Sequence, residues 1–232
     1  MNEQKIALIT GANRGIGYAI AEGLIKANVR VIIGSRSLEK GKEAVEKLSS
    51  TLASAVEIDI ADDDSINRAF EELRGKIDRL DVLINNAGIY PDNGFNILTI
   101  DRDLLTKTLN VNTFGAIKTT QIFLPLLEKA DKARVINYTS GYGQLNGLSA
   151  GVPSYCLSKL TLNGATIMLA DALYSKDITV NAVDPGWVSS DMGGANAPRT
   201  VEQGADTAVW LATVDSIEDS GKLWRDRSVV SF

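Results

Sequence analysis

Tyr155 and Lys159, four residues apart in the run YCLSK, are the pair best suited to proton chemistry in this 232-residue chain. On a helix, positions i and i+4 lie on one face, one turn apart. A free tyrosine hydroxyl titrates at about pH 10, too high for efficient acid/base work near neutrality. A lysine cation one turn away stabilises the phenolate and so predicts a lowered pKa for Tyr155. Ser140 closes the preceding apolar run and offers a hydroxyl that can hydrogen-bond a carbonyl oxygen. The Tyr–x–x–x–Lys spacing is common on helix surfaces, so by itself it establishes nothing. With no histidine and a single cysteine, Cys156, the chain excludes Cys/His zinc sites and an intramolecular disulfide. Cys156 points elsewhere on the helix than Tyr155 and reads as packing. No paired carboxylates stand in a hydrolytic setting, and no metal is expected.

A second constellation is TGANRGIG, residues 10–17, with glycines at 11, 15 and 17 around Asn13, Arg14 and Ile16. Placed between a strand and a helix, such glycines permit a tight turn, close approach to a pyrophosphate, and close helix–sheet packing. The helix N-terminus then offers N–H groups and partial positive charge to the phosphates. An NAD site places an acid roughly twenty residues further on, to bind the ribose hydroxyls. Here that place reads GSRS, with Ser35 and Arg36 and no carboxylate. Guanidiniums at Arg14 and Arg36 suit a ribose phosphate, which arginine grips bidentately. NADPH is therefore the expected cofactor, in preference to NAD.

The elements that must position these groups alternate along the chain. Short apolar runs at 5–10, 29–34, 55–60, 81–88, 134–140 and 178–186 read as buried strands. Amphipathic spacing predicts helices at 15–27, 38–48, 63–76, about 101–129 and about 153–175. This β–α alternation implies an α/β fold: one doubly wound parallel sheet with helices on both faces, a single domain over residues 1–232. No Pro-, Gly- or Ser-rich linker interrupts it; GGANAP, 193–198, is the one segment that reads as mobile.

Taken together, TG-x-x-x-G-x-G, NNAG (85–88), Ser140, Y-x-x-x-K and the PG turn at 185–186 resemble the compact short-chain dehydrogenase/reductase family. The resemblance covers nearly the whole chain and is nearest to the carbonyl reductase-like group. It implies a Rossmann-like sheet of about seven strands and hydride transfer at a nicotinamide. Tyr155 is then the proton donor in reduction, Lys159 binds the nicotinamide ribose and tunes Tyr155, and Ser140 positions the carbonyl. Asn112, in LNVNTFG, matches the residue that interrupts the long helix and steadies a water in the proton relay. Asp59 and Ile60 are assigned to the adenine, Asn86, Ala87 and Gly88 to the cofactor ribose. Pro185, Gly186, Trp187, Val188 and Ser190 are assigned to the nicotinamide. Ser190 stands where threonine is more usual, and residues 141–152 form a slightly long loop. The insertion before the catalytic tyrosine of monomeric carbonyl reductases is missing, which leaves helix 153–175 free to face a partner. Thr161, Gly164, Ala165 and Ala172 give that helix a small-residue face, so a homodimer or homotetramer is expected.

Tyr90, Tyr142, Leu145, Leu148, Val152, Trp187 and Met192 are candidates for a mostly apolar substrate pocket. The net charge of −5, without any basic run, argues against nucleic acid as a partner. No apolar run nears the length of a membrane span, and the start MNEQKIALITGA lacks signal-peptide features, so a cytoplasmic protein is expected. Two rival readings are an epimerase or dehydratase with bound NAD and a cofactor-binding regulator without turnover. The first resembles chains with G-x-x-G-x-x-G, which this loop lacks; the second would have lost Tyr155 or Lys159.

Overall fold

A computed structural model describes residues 4–232; the first three residues of the expected N-terminal tail lie outside it. Its eight strands form one sheet in the order β3-β2-β1-β4-β5-β6-β7-β8. The strands are β1 (Ile6–Thr10), β2 (Arg30–Ser35), β3 (Ala53–Glu57), β4 (Val82–Asn85), β5 (Arg134–Tyr138), β6 (Thr179–Val183), β7 (Leu223–Arg225) and β8 (Ser228–Val230). All neighbours pair in parallel except β7 and β8, which form an antiparallel hairpin at the edge. That hairpin takes the sheet one strand beyond the expected seven. Helices α1 (Gly15–Lys26), α2 (Leu38–Leu48), α3 (Asp63–Arg74), α4 (Arg102–Leu109), α5 (Gly115–Leu127), α6 (Pro153–Leu173) and α7 (Val201–Thr213) cover the sheet.

Alternate residues of the central strands go to opposite cores, as a sheet covered on both faces requires. Ala7, Ile9, Val82 and Ile84 join one core with Ile20 and Leu24 of α1 and Ala208 and Leu211 of α7. Leu8, Leu83 and Val135 join the other with Ile66 of α3, Phe123 of α5 and Leu173 of α6. Each strand carries apolar residues on both faces, which is why its sequence reads as a continuous apolar run.

The expected strands overrun the observed ones mainly at their C-terminal ends. The runs at 55–60, 81–88, 134–140 and 178–186 leave the ladder after Glu57, Asn85, Tyr138 and Val183. Periodicity does not register where pairing stops, and the released residues are the ones available to a site. The helix expected over 101–129 is also broken: a π-helical turn, Asn110–Phe114, separates α4 from α5. Its amide bond from Gly115 reaches back five residues to the Asn110 carbonyl, the widening that characterises such turns. α7 is set by a capping box in which Thr200 and Gln203 bond reciprocally.

At the other end of α7, Arg134 supplies the C-terminal cap. Its guanidinium, 5% exposed, donates to the Leu211 carbonyl at 2.5 Å and the Val214 carbonyl at 2.6 Å. Lys5 adds a bond to the Ala212 carbonyl at 3.3 Å. Cations suit this negative end of the helix. Replacing Arg134 with Met should therefore cost about 1–3 kcal/mol, because it strands buried carbonyls without a donor. Urea unfolding of the variant checks this; an unchanged midpoint would show that the cap contributes nothing.

Candidate functional site

The sheet order reverses between β1 and β4, and chain segments leaving the two strands part there to open a crevice. Thr10, at the end of β1, holds the crevice floor. Its hydroxyl accepts from the Asn86 and Ala87 amides, both at 3.1 Å. Asn86 returns the contact, its Nδ2 donating to the Thr10 carbonyl at 2.9 Å and the Gly11 carbonyl at 3.2 Å. The expected ribose-binding run Asn86–Gly88 is thus fixed against the expected phosphate loop.

The loop itself fits a dinucleotide. Gly11 and Gly15 have φ of +66° and +58°, conformations that side-chain-bearing residues rarely adopt. A Cβ on Gly11 would lie 2.9 Å from the Ala87 Cα, and one on Gly17 would lie 2.5 Å from the Asn86 Nδ2. Arg14 stands at the N-cap of α1 without a side-chain cap bond, and the first turn carries no acid. By contrast, Ser37, Asp62, Asp101 and Thr200 cap α2, α3, α4 and α7. The start of α1 therefore keeps its amides and positive end for an anion.

Ser35 is buried at the end of β2 and Arg36 beside it is exposed. Arg14 is exposed too, but its guanidinium meets the Asp191 carboxylate at 2.6 Å, across to the loop that follows β6. Asp59 turns its carboxylate onto the Ala61 amide, and Ile60 is buried. Beyond β6, Gly186 has φ +72°, Val188 is buried, and the Ser190 hydroxyl accepts from the Gly193 amide at 3.2 Å. Trp187 is 57% exposed and donates its indole N–H to the Gly193 carbonyl.

Tyr155 and Lys159 are buried on the first two turns of α6. Burial pushes the Tyr155 phenol above its ordinary pKa, while the neighbouring Ser140 hydroxyl pulls the other way. The Ser140 hydroxyl oxygen accepts from the Tyr142 amide at 3.2 Å, which leaves its proton to donate. Tyr90 and Tyr142 set their rings edge-on to Tyr155, with centroids 4.8 and 6.3 Å away. The lowered phenol pKa expected from Lys159 is not found. The ammonium instead donates to the Tyr138 carbonyl at 2.7 Å and stands 5.6 Å from the centroid of the Tyr155 ring. Burial lowers the pKa of Lys159 itself to about 8.

Asn112 lies in the π-helical turn, 1% exposed, with its side chain committed. Its Oδ1 accepts from the Ile89 amide at 2.8 Å, and its Nδ2 donates to the Ile89 carbonyl and the Ser158 hydroxyl. A Cβ on Gly88 would meet the Asn112 Oδ1 at 3.2 Å and the Lys159 Nζ at 3.6 Å. The expected site residues from β4, the π turn and α6 therefore converge at Gly88. Tyr142, Leu145, Leu148 and Met192 are all more than two-fifths exposed, so these pocket candidates lie outside the core. Loop 141–152 is folded into two short 3-10 turns, the second packed so that a Cβ on Gly147 would strike the Gly141 carbonyl. Cys156 is buried, its sulfur accepting from the Ser149 amide. On α6, Thr161, Gly164 and Ala172 are exposed, but Ala165 packs into its own fold and drops out of the expected small-residue face.

The short chain dehydrogenase family model matches residues 5–200. The chain belongs to the short-chain dehydrogenase/reductase family. As such it is an oxidoreductase, and its likeness is to the carbonyl reductase-like group. It is 37% identical over 192 residues to 3-oxoacyl-(acyl-carrier-protein) reductase FabG of Aquifex aeolicus, covering 81% of this chain and 75% of that protein. The carbonyl reductase Sniffer of D. melanogaster superposes with a TM-score of 0.87 at 31% identity, over 96% of this chain and 97% of that one. The NADPH-bound carbonyl reductase from chicken fatty liver superposes with a TM-score of 0.90 at 28% identity, over 99% and 94%.

One residue that contacts Tyr155 was not foreseen. Asp92 accepts a hydrogen bond from the Tyr155 amide, from a loop some sixty positions earlier in the chain. The readable signal was at the helix start: Val152 occupies the N-cap of α6 and offers no side-chain oxygen, so an acceptor had to come from elsewhere.

The depressed Lys159 pKa has a consequence for this oxidoreductase that stability measurements reach. Between about 8 and the unfolded value of 10.5, the folded chain carries a neutral amine while the unfolded chain is still protonated. The burial penalty is therefore complete below pH 8 and fades as pH rises through 10.5. Lys159→Met removes that penalty but strands the Tyr138 carbonyl at either pH, so its gain in unfolding stability over the native chain should be larger at pH 7 than at pH 10.5 by about 1–3 kcal/mol. Chemical denaturation at both pH values tests it; an equal gain at both would contradict the buried-charge account.

Proposed function

We propose that this chain is an NADPH-dependent reductase that converts a ketone or aldehyde to an alcohol, with Tyr155 as proton donor. The observation that carries the proposal is the buried Tyr155 phenol, set beside Ser140 and a glycine loop fit for phosphate. A bound nicotinamide dinucleotide would supply the hydride. Burial keeps Tyr155 protonated, so it holds a transferable proton at its hydroxyl until the carbonyl oxygen gains negative charge. Ser140 then donates its free proton as a hydrogen bond to the same oxygen and fixes its direction. Lys159, whose Nζ lies close to Gly88, would hold the ribose of a bound cofactor, and its charge would favour the phenolate left after transfer. Asn112 holds Ile89 and Ser158 together, so that the strand end and α6 keep their spacing.

For the cofactor, Arg36 at the end of β2 and Arg14 on the loop supply positive charge where an NAD site has a carboxylate. Asp191 competes for Arg14, and a ribose phosphate, with its larger charge, would draw the guanidinium away. The exposed positions of α6, with Ile167 and Met168 also outward, support a homodimer or homotetramer. Light scattering that returned the monomer mass would remove that part of the proposal.

The deciding experiment follows NADPH and NADH oxidation against a panel of ketones, aldehydes, quinones and diketones. NADPH should be consumed and preferred. Tyr155→Phe should lower kcat by about a thousandfold or more while NADPH affinity changes little, since only the transferable proton is lost. Arg36→Asp should turn the preference toward NADH. Tight NADPH binding without turnover on any carbonyl would sink the reductase reading and favour a cofactor-binding regulator.

A further inference from the structure

The start of α6 has an unusual deficit. Val152 at its N-cap provides no acceptor, and Pro153 follows as the first helical residue, without an N–H. The first amides in need of a partner are those of Ser154 and Tyr155, and both find the same carboxylate. Asp92 Oδ1 accepts from the Ser154 amide at 2.8 Å, and Oδ2 accepts from the Tyr155 amide at 3.0 Å and the Ser154 hydroxyl at 2.9 Å. Asp92 is 3% exposed. A buried carboxylate is costly unless charge and hydrogen bonds offset it, and here the positive end of a 21-residue helix does so.

From these contacts we infer that Asp92 is a positioning residue for Tyr155, holding its backbone in register with the crevice. The inference rests on the proposed role of Tyr155 as proton donor. What distinguishes Asp92 from an ordinary cap is the segment that carries it. Ile89 is clamped through both its amide and its carbonyl by Asn112, whose Nδ2 also reaches Ser158 on α6. Tyr90, the next residue, sets its ring against that of Tyr155 at 4.8 Å. In the segment beyond β4, Ile89, Tyr90 and Asp92 are thus each held by a contact that leads to α6. A shift in Asp92 would move the phenol relative to Gly88, and small misplacements of a reacting group cost rate heavily.

The carboxylate also supplies charge. The groups that face Tyr155 are Ser140 and Tyr142 from the loop after β5, and Asp184 after β6. Tyr90 faces it from the loop after β4, and Cys156 and Lys159 from its own helix. Asp92 opposes the positive end of α6 at the Tyr155 amide.

The test uses the full chain with Asp92→Asn and Asp92→Glu, measured for kcat, KM and amide hydrogen exchange over 152–158. Asp92→Asn should lower kcat by about tenfold or more with KM changed by less than about threefold. The Ser154 and Tyr155 amides should also exchange faster, since both lose a charged acceptor. Asp92→Glu keeps the charge but displaces it, so kcat should fall here too; should Asp92→Asn not fold, this variant decides. Native kcat in either variant, with only a lower Tm, would overturn the inference and leave Asp92 a plain structural cap. If the native chain turns over no carbonyl, exchange still answers: unchanged protection in Asp92→Asn overturns the placement, and faster exchange upholds it while the reductase reading alone falls.

Discussion

Everything at the candidate site depends on one join in the sheet, where Thr10 and Asn86 bind the ends of β1 and β4 to each other. The two strands pair in parallel through Ala7, Leu8 and Ile9, but past Thr10 and Asn85 their chains must diverge because the sheet order reverses there. Backbone groups released from a ladder need new partners. Thr10 and Asn86 provide them with four side-chain bonds and so keep the divergence narrow. The glycine loop on one side and Asn86–Gly88 on the other are the two walls of that opening. Gly11 and Gly17 are needed because the walls come so near that a single Cβ would strike the opposite side.

Burial then determines the chemistry of the second half of the site. Tyr155, Lys159, Asn112 and Asp92 are all nearly or fully removed from solvent, yet each has a defined set of polar contacts. The phenol is held in its protonated form by desolvation, and Lys159 is pushed toward neutrality for the same reason. These two effects are opposite in charge and arise from one cause. An acid/base pair whose members are both drawn toward their uncharged forms is suited to passing a proton when charge develops nearby. Lys159 spends a hydrogen bond on Tyr138, the last residue of β5, which ties the pair to the strand from which Ser140 emerges.

Much of this was legible in the sequence. Apolar runs identified the six long strands and the parallel, two-faced sheet, because burial on both faces leaves no polar alternation to confuse the reading. The expectation for Asn112 was legible as a break in a helix, and the π-helical turn is its physical form. The edge hairpin β7–β8 was not counted separately, since two three-residue strands hold too little pattern to detect. The direction of the Tyr155 shift was misread for a different reason. Spacing on a helix tells which side chains share a face, but the dielectric around them, and which carbonyl captures the ammonium, are set by other elements.

The sequence by itself determined the order of elements, the faces of the strands, the glycine loop, and the family to which the Tyr–x–x–x–Lys pair belongs. Those properties are local, carried by residue type and by periods of two or 3.6 residues. Only the tertiary structure decided that Asp92 meets the amide of Tyr155, that Arg14 is held by Asp191, and that Arg134 closes α7. Each of these contacts joins residues sixty or more positions apart. No local pattern records such a partner, because the acceptor is chosen by where the sheet brings two chain segments together and by what burial leaves unsatisfied there.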